Sequence, residues 1–181
     1  SSWRWRGMTI EDSEPHNVQS EIRCGRIERK QGSSMNSSAE NLKKDVVITI
    51  VSRQNYAGCE PDQIDLITTG RLYKRNGKFY ISYDESELTG MEGSRTTLKV
   101  EPKQITMTRT GTHPSQMMFT EHERRVGLYS TEVGEVAIST HTSQLSSTID
   151  ENGGAIAIDY TVEIDASLAG AHRFELSVRP S

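Results

Sequence analysis

Long apolar runs are missing from this chain of 181 residues. No stretch approaches the roughly 18 apolar residues that a membrane helix needs. Arg4 and Arg6 lie near the start, but no apolar stretch follows them as in a signal peptide. Charge of one sign is also missing. Lys and Arg number 21 against 25 Asp and Glu, for a net charge of −4. No basic patch points to nucleic acid. Cysteine is scarce: Cys24 and Cys59 stand alone, without metal-type spacing to His or Cys. Two free thiols in a reducing setting are expected, so the chain is read as cytoplasmic. No Gly-x-Ser-x-Gly elbow, P-loop or dinucleotide fingerprint occurs. No cofactor, metal or catalytic group is implied, and membrane and nucleic acid are not expected partners.

What is present is alternation. In Ala155-Ile156-Ala157-Ile158-Asp159-Tyr160-Thr161-Val162-Glu163-Ile164 every second residue is large and apolar. That period belongs to a strand with one buried face and one wet face. About ten such segments follow one another between Lys43 and Arg179, with turn residues between them and no good helix. The first is Asp45 to Arg53, apolar on both faces. The second, Gln63 to Lys74, is expected to bend at Gly70. Asn76-Gly77 predicts a type I′ hairpin turn. Further strands are read at Phe79 to Glu85, Arg95 to Glu101, Gln104 to Thr110, Gln116 to His122, Arg125 to Thr131, Gly134 to Ser147, the segment quoted above, and Phe174 to Arg179. Short connections, including the tight Glu123-Arg124, predict that chain neighbours pair. The expected fold is all-β: an antiparallel up-and-down barrel of about 8–10 strands, closed because open edges would otherwise be exposed.

Residues 1–40 read differently. They hold few aliphatic groups and many charges and serines, too little to offset the cost of ordering. A disordered or weakly structured extension over 1–40 and a barrel domain over 41–181 are expected. Trp3 and Trp5 make no core, and Ile22 and Ile27 permit at most a short helical turn. Met35 is expected to be the natural start, with residues 1–34 an upstream extension.

Four segments carry a resemblance. They are Phe79 to Gly90, Arg109-Thr110-Gly111 with Met117-Met118-Phe119, Leu128-Tyr129-Ser130-Thr131 with Gly134, and Gly153 to Tyr160. In order and spacing the chain resembles the YwiB-like family of bacterial proteins, whose function is unknown. The resemblance spans about Lys43 to Arg179 and implies a calycin-like, lipocalin-type barrel. It implies no activity, and fold alone transfers none.

The site candidates come from strand phase. Phe79-Ile81-Tyr83 continues inward to Glu85, and Ile105-Met107 continues inward to Arg109. The two strands are separated by one other and so run the same way. Glu85 and Arg109 should meet inside one mouth, where a buried guanidinium needs an acceptor. Tyr129 and Thr131 end a third strand at that mouth, on the face opposite Val126 and Leu128. Thr140 is read as inward and His141 as outward. Tyr160 continues the inward series of Ile156 and Ile158. His113, His122 and His172 are read as turn or strand-end residues. Arg109, Glu85, Tyr83, Tyr129, Thr140 and Tyr160 are therefore the candidate ligand-binding residues. One reading is a barrel that binds a small polar or anionic molecule. The other is a structural or protein-interaction barrel with a packed interior, a homodimer through its first strand. Catalysis at Glu85 with Glu87 is the remote third.

Overall fold

Alternation sustained over six to fourteen residues builds the barrel strands here. The computed structural model describes residues 3–5, 8–10, 42–56, 58–112, 114–131 and 134–181; of 3–5, 8–10, 128–131, 134–135 and 168 it describes the backbone alone. The strands are β1 (Trp3–Trp5), β2 (Met8–Ile10), β3 (Lys43–Tyr56), β4 (Asp62–Arg75), β5 (Lys78–Asp84), β6 (Ser94–Val100), β7 (Gln104–Gly111), β8 (Ser115–Thr120), β9 (Arg124–Thr131), β10 (Gly134–Ser147), β11 (Gly154–Ile164) and β12 (Ser167–Pro180). A 3-10 turn, Glu87–Thr89, follows β5. Trp3 and Trp5 lie in β1, which pairs with β2 by itself. The expectations for 11–41, with Cys24, Ile22, Ile27 and Met35, lie outside the described residues, as does His113.

Ten strands form one antiparallel sheet in the order β8-β7-β6-β5-β4-β3-β12-β11-β10-β9. The up-and-down barrel is thereby observed. Asn76 and Gly77 have φ of 52° and 74°, the two positive values that a type I′ hairpin demands. The first and last barrel strands are neighbours, with Arg173 opposite Arg53 and Pro180 opposite Val46. β3 is therefore laddered on both edges, and a second copy could meet it only on its outer face.

Three readings need correction. β8 and β9, joined through Glu121 to Glu123, do not pair; they are the two ends of the sheet. A barrel closes with a stagger, and here the end of β8 meets β10 instead of its chain neighbour. The contacts are a parallel bridge between Glu121 and Thr142, the His122 N–H donating to Thr142 O at 2.7 Å, and the Thr142 N–H donating to Glu123 O at 3.3 Å. Thr140 Oγ1 adds a bond to Met118 O at 3.1 Å. Gly70 marks no bulge: the register runs unbroken past it on both sides. A Cβ there would overlap Ser82 O and Ile48 Cδ1, so the glycine permits close packing. The last strand begins at Ser167, not Phe174. Its small residues Ala169, Gly170 and Ala171 hid the alternation.

The inward faces form one core that includes Ile48, Leu72, Ile81, Leu98, Ile105, Phe119, Ile158 and Phe174. The outer faces carry cross-strand ion pairs, among them Arg173 with Asp159 at 2.6 Å, Arg95 with Asp84 at 2.8 Å and Arg53 with Glu175 at 3.0 Å. Val126 is 56% exposed, so the apolar residues of β9 do not all face the core. Among the described residues no helix is long and apolar enough to cross a membrane.

Candidate functional site

Two groups of polar side chains are buried inside the barrel. The first is at the mouth where β5 and β7 end. Glu85 extends the inward series of β5, and its N–H donates to Ser94 O at 2.8 Å, carrying the ladder one residue beyond the strand. Arg109 extends the inward series of β7. Glu85 Oε1 and Arg109 Nη2 are 3.9 Å apart, with side chains 0% and 2% exposed. The carboxylate is well served. Thr96 Oγ1 donates to Oε1 at 2.5 Å, and Thr89 Oγ1 donates to Oε2 at 2.8 Å. Thr89 reaches it because the 3-10 turn folds back over the mouth. Arg109 Nη1 donates to Ser115 Oγ at a long 3.4 Å. Hydroxyl donors on a carboxylate favour its charged form, which in turn holds the guanidinium.

The second group sits against the seam, on β3, β10, β11 and β12. Thr142, Tyr160, His172 and Gln54 follow one another across the sheet, each opposite the next. Strand phase turns all four inward, and each is buried. Tyr160 stacks on the His172 ring at 5.0 Å between centroids and 9° between planes. Tyr56 meets the same ring edge-on at 5.3 Å and 78°. Phe119 of β8 packs on Tyr160 at 4.7 Å. Among the described residues nothing hydrogen-bonds Nδ1 or Nε2 of His172, the hydroxyl of Tyr56, or Oγ1 of Thr142. Burial holds the His172 pKa down to about 4, so its imidazole is neutral. Burial, with Tyr160 nearby, likewise raises the Tyr56 pKa and keeps its phenol protonated.

The sequence candidates divide between these groups. Arg109, Glu85 and Tyr83 belong to the mouth. Tyr160 belongs to the seam group, and Thr140 lies beside it, bonded to β8. Tyr129 has a described backbone opposite Val136, but its side chain lies outside the described residues. His141 is exposed, as expected from strand phase. Glu87 lies exposed in the 3-10 turn, so it makes no inward carboxylate pair with Glu85. His172 was missed: it is mid-strand and 4% exposed, not at a strand end. The signal was available in Gly170-His172-Phe174-Leu176-Val178, one inward series. Among the described residues no cluster of three His, Cys, Asp or Glu could hold a metal ion. An open cleft of about 510 Å³ is lined by Arg53, Asp62, Asp159 and Arg173 together with Gln54, Tyr160 and His172 of the seam group. Its charges serve one another: Arg173 binds Asp159 and Glu175, and Arg53 binds Glu175 and Gln63.

Fold and interior together define an all-β, ten-stranded up-and-down barrel with buried polar groups. Residues 48–176 match the family described as "Domain of unknown function (DUF1934)". The chain belongs to that family. It is 26% identical over 114 residues to the uncharacterized beta-barrel protein YwiB of Bacillus subtilis (strain 168), covering 63% of this chain and 79% of that relative. The crystal structure of the ywiB protein from Bacillus subtilis aligns with a TM-score of 0.67 at 21% identity, over 77% of this chain and 94% of that one. At that identity the likeness is one of fold. The resemblance read from the sequence is thereby upheld.

Proposed function

We propose that this is a non-catalytic, calycin-like barrel that binds a small polar molecule in its interior. The carrying observation is the seam group, where buried polar atoms of His172, Tyr56 and Thr142 meet no described protein partner. Each such group costs about 1–3 kcal/mol when left unsatisfied. A barrel built only to pack would fill those positions with apolar side chains. The up-and-down topology supports the calycin-like reading. The exposed free thiol of Cys59 supports a cytoplasmic setting. Native mass spectrometry of protein from its own host, followed by a thermal-shift screen of metabolites, tests the proposal. A co-purifying small molecule, or a compound that raises Tm, is the expected result. A bare mass together with a flat screen would reject it.

A second reading concerns the mouth. Arg109, with Glu85 and Tyr83, would form a polar end that receives an anion. The hydrogen bonds on Glu85 favour a structural role for the pair, because Thr89 and Thr96 each engage one oxygen of the carboxylate that faces Arg109. A double-mutant cycle on Glu85→Gln and Arg109→Met separates the two. Strong coupling supports the structural pair. Near-zero coupling, with anions raising Tm, supports the anion site.

A further inference from the structure

The outer face of β3 differs from the ion-paired surface around it. Val46, Ile48 and Ile50 fill the core, so strand phase turns Val47, Thr49 and Val51 outward. Thr49 lies opposite Ile67 on one side and Ser177 on the other, and Ser177 lies opposite Ala155. This row across four strands holds no charge, and Ile67 in it is 73% exposed. Val47 and Val51 flank the row, each half-buried. Apolar groups gathered on an outer face mark an interaction surface. Charges frame the strip. Beside Val51 lie Asp65 and Glu175, with Arg53 beyond them; beside Val47 lies Arg179, with Asp45 beyond it. Arg179 is exposed and joins no ion pair among the described residues. The spacing is symmetric: Glu175 and Arg179 lie two residues either side of Ser177, and Asp45 and Arg53 lie four residues either side of Thr49.

We infer that this strip docks a second copy of the chain, face to face, on a two-fold axis running along Ile67, Thr49, Ser177 and Ala155. In such an isologous interface each residue meets the one equally far on the other side of the axis. Glu175 then faces the second copy's Arg179, Arg53 faces its Asp45, and Val51 faces its Val47. Every charged pair is opposite in sign and occurs twice, around a centre that is apolar or uncharged. Two sheets so stacked keep their strands roughly aligned, as packed sheets do. The other symmetric arrangement has its axis along β3. It sets Glu175 on the second copy's Asp65 and Arg53 on its own counterpart, and like charges that face each other oppose docking. The inference is independent of what the barrel holds inside.

Sedimentation velocity of the full chain over a concentration series should show a reversible dimer. Ile67→Lys and Thr49→Lys should each raise its dissociation constant by about tenfold or more, while circular dichroism remains that of the folded barrel. Charge exchange gives the specific readout. Arg179→Glu alone should weaken the dimer, and so should Glu175→Lys alone. Mixed together, the two variants should restore it as a heterodimer, because every facing pair is again opposite in sign. A purely structural role for either residue would not produce that rescue. Should Glu175→Lys fail to fold, Asp45→Lys mixed with Arg53→Glu serves in the same way. A monomer at every concentration would overturn the inference. So would a dimer undiminished by Ile67→Lys and Thr49→Lys, or folded variants that do not recover the dimer on mixing.

Discussion

The two buried polar groups solve the same problem in opposite ways. At the mouth, a fully buried carboxylate is surrounded by donors from its own chain: Thr89, Thr96 and the guanidinium of Arg109. At the seam, a buried imidazole receives rings on its face and edge, and no described residue bonds its nitrogens. A charge inside a barrel must be answered within the protein, because its desolvation is so costly. A neutral imidazole carries a smaller debt and can be left for water or a ligand to satisfy. The mouth is accordingly answered within the chain, whereas the seam leaves polar atoms without a partner among the described residues.

The largest expected effect is at the mouth. Arg109→Met should destabilise by on the order of 3–5 kcal/mol, since it leaves Glu85 buried without its counter-charge. Adding Glu85→Gln should cost less than the sum of the singles, as measured by urea denaturation. Additive losses would dissolve the contrast between the two groups.

The next effect is a dependence on pH. His172 titrates near 4 in the fold, against an ordinary value of 6.5. Between those values the unfolded chain takes up a proton that the folded barrel refuses. The contribution is therefore full above about pH 6.5 and is lost progressively as the pH falls towards 4, by on the order of 3 kcal/mol. Urea midpoints across that range should fall in the native protein. In His172→Phe this component of the slope should be absent; an unchanged slope would mean that the imidazole is not buried neutral.

Gly70→Ala sharpens the comparison from beside the mouth group, opposite Tyr83. Its methyl would strike Ser82 O and Ile48 Cδ1, so a loss of about 1–3 kcal/mol is expected from overpacking. Because this site is remote from the seam, the pH slope should persist while the midpoint drops. The smallest effect is at the seam itself. At neutral pH, Thr142→Val should change stability by less than about 1 kcal/mol, since it removes an unsatisfied hydroxyl and keeps the shape. A loss as large as that of Arg109→Met would show that the seam is structural after all.

Much of the barrel was legible because period two is a local signal. The inward facing of Ile158, Tyr160, Glu85 and Arg109 follows from counting along single strands. The meeting of Glu85 with Arg109 needed only the further step that strands two apart run in parallel. The Asn76-Gly77 turn is legible from two residues. Closure was not legible, because stagger is a property of the whole sheet and no dipeptide encodes it. The short connection through Glu121 to Glu123 therefore suggests a β8–β9 ladder that the sheet does not form. His172 was lost for a related reason. Ala169, Gly170 and Ala171 give no contrast between faces, so the alternation is visible only from Phe174 onward and the inward imidazole reads as a strand-end residue. The seam group draws Thr142, Tyr160, His172 and Gln54 from four strands, and no sequence window contains them all.

The break between β8 and β9 also means that the sheet and the chain begin in different places. Ser181 already bonds Asp45 across the β12–β3 ladder, its N–H donating to Asp45 O at 3.4 Å. A short linker from Ser181 to Leu42 and a cut between Glu121 and Glu123 would give a circular permutant. Its strands would occur in the chain in the same order as they lie in the sheet. Every ladder would then join consecutive strands, and the long-range pairing of Pro180 with Val46 would become a local hairpin. Folding rates fall as contacts grow more distant in sequence, so the rearranged chain should fold faster than the natural one.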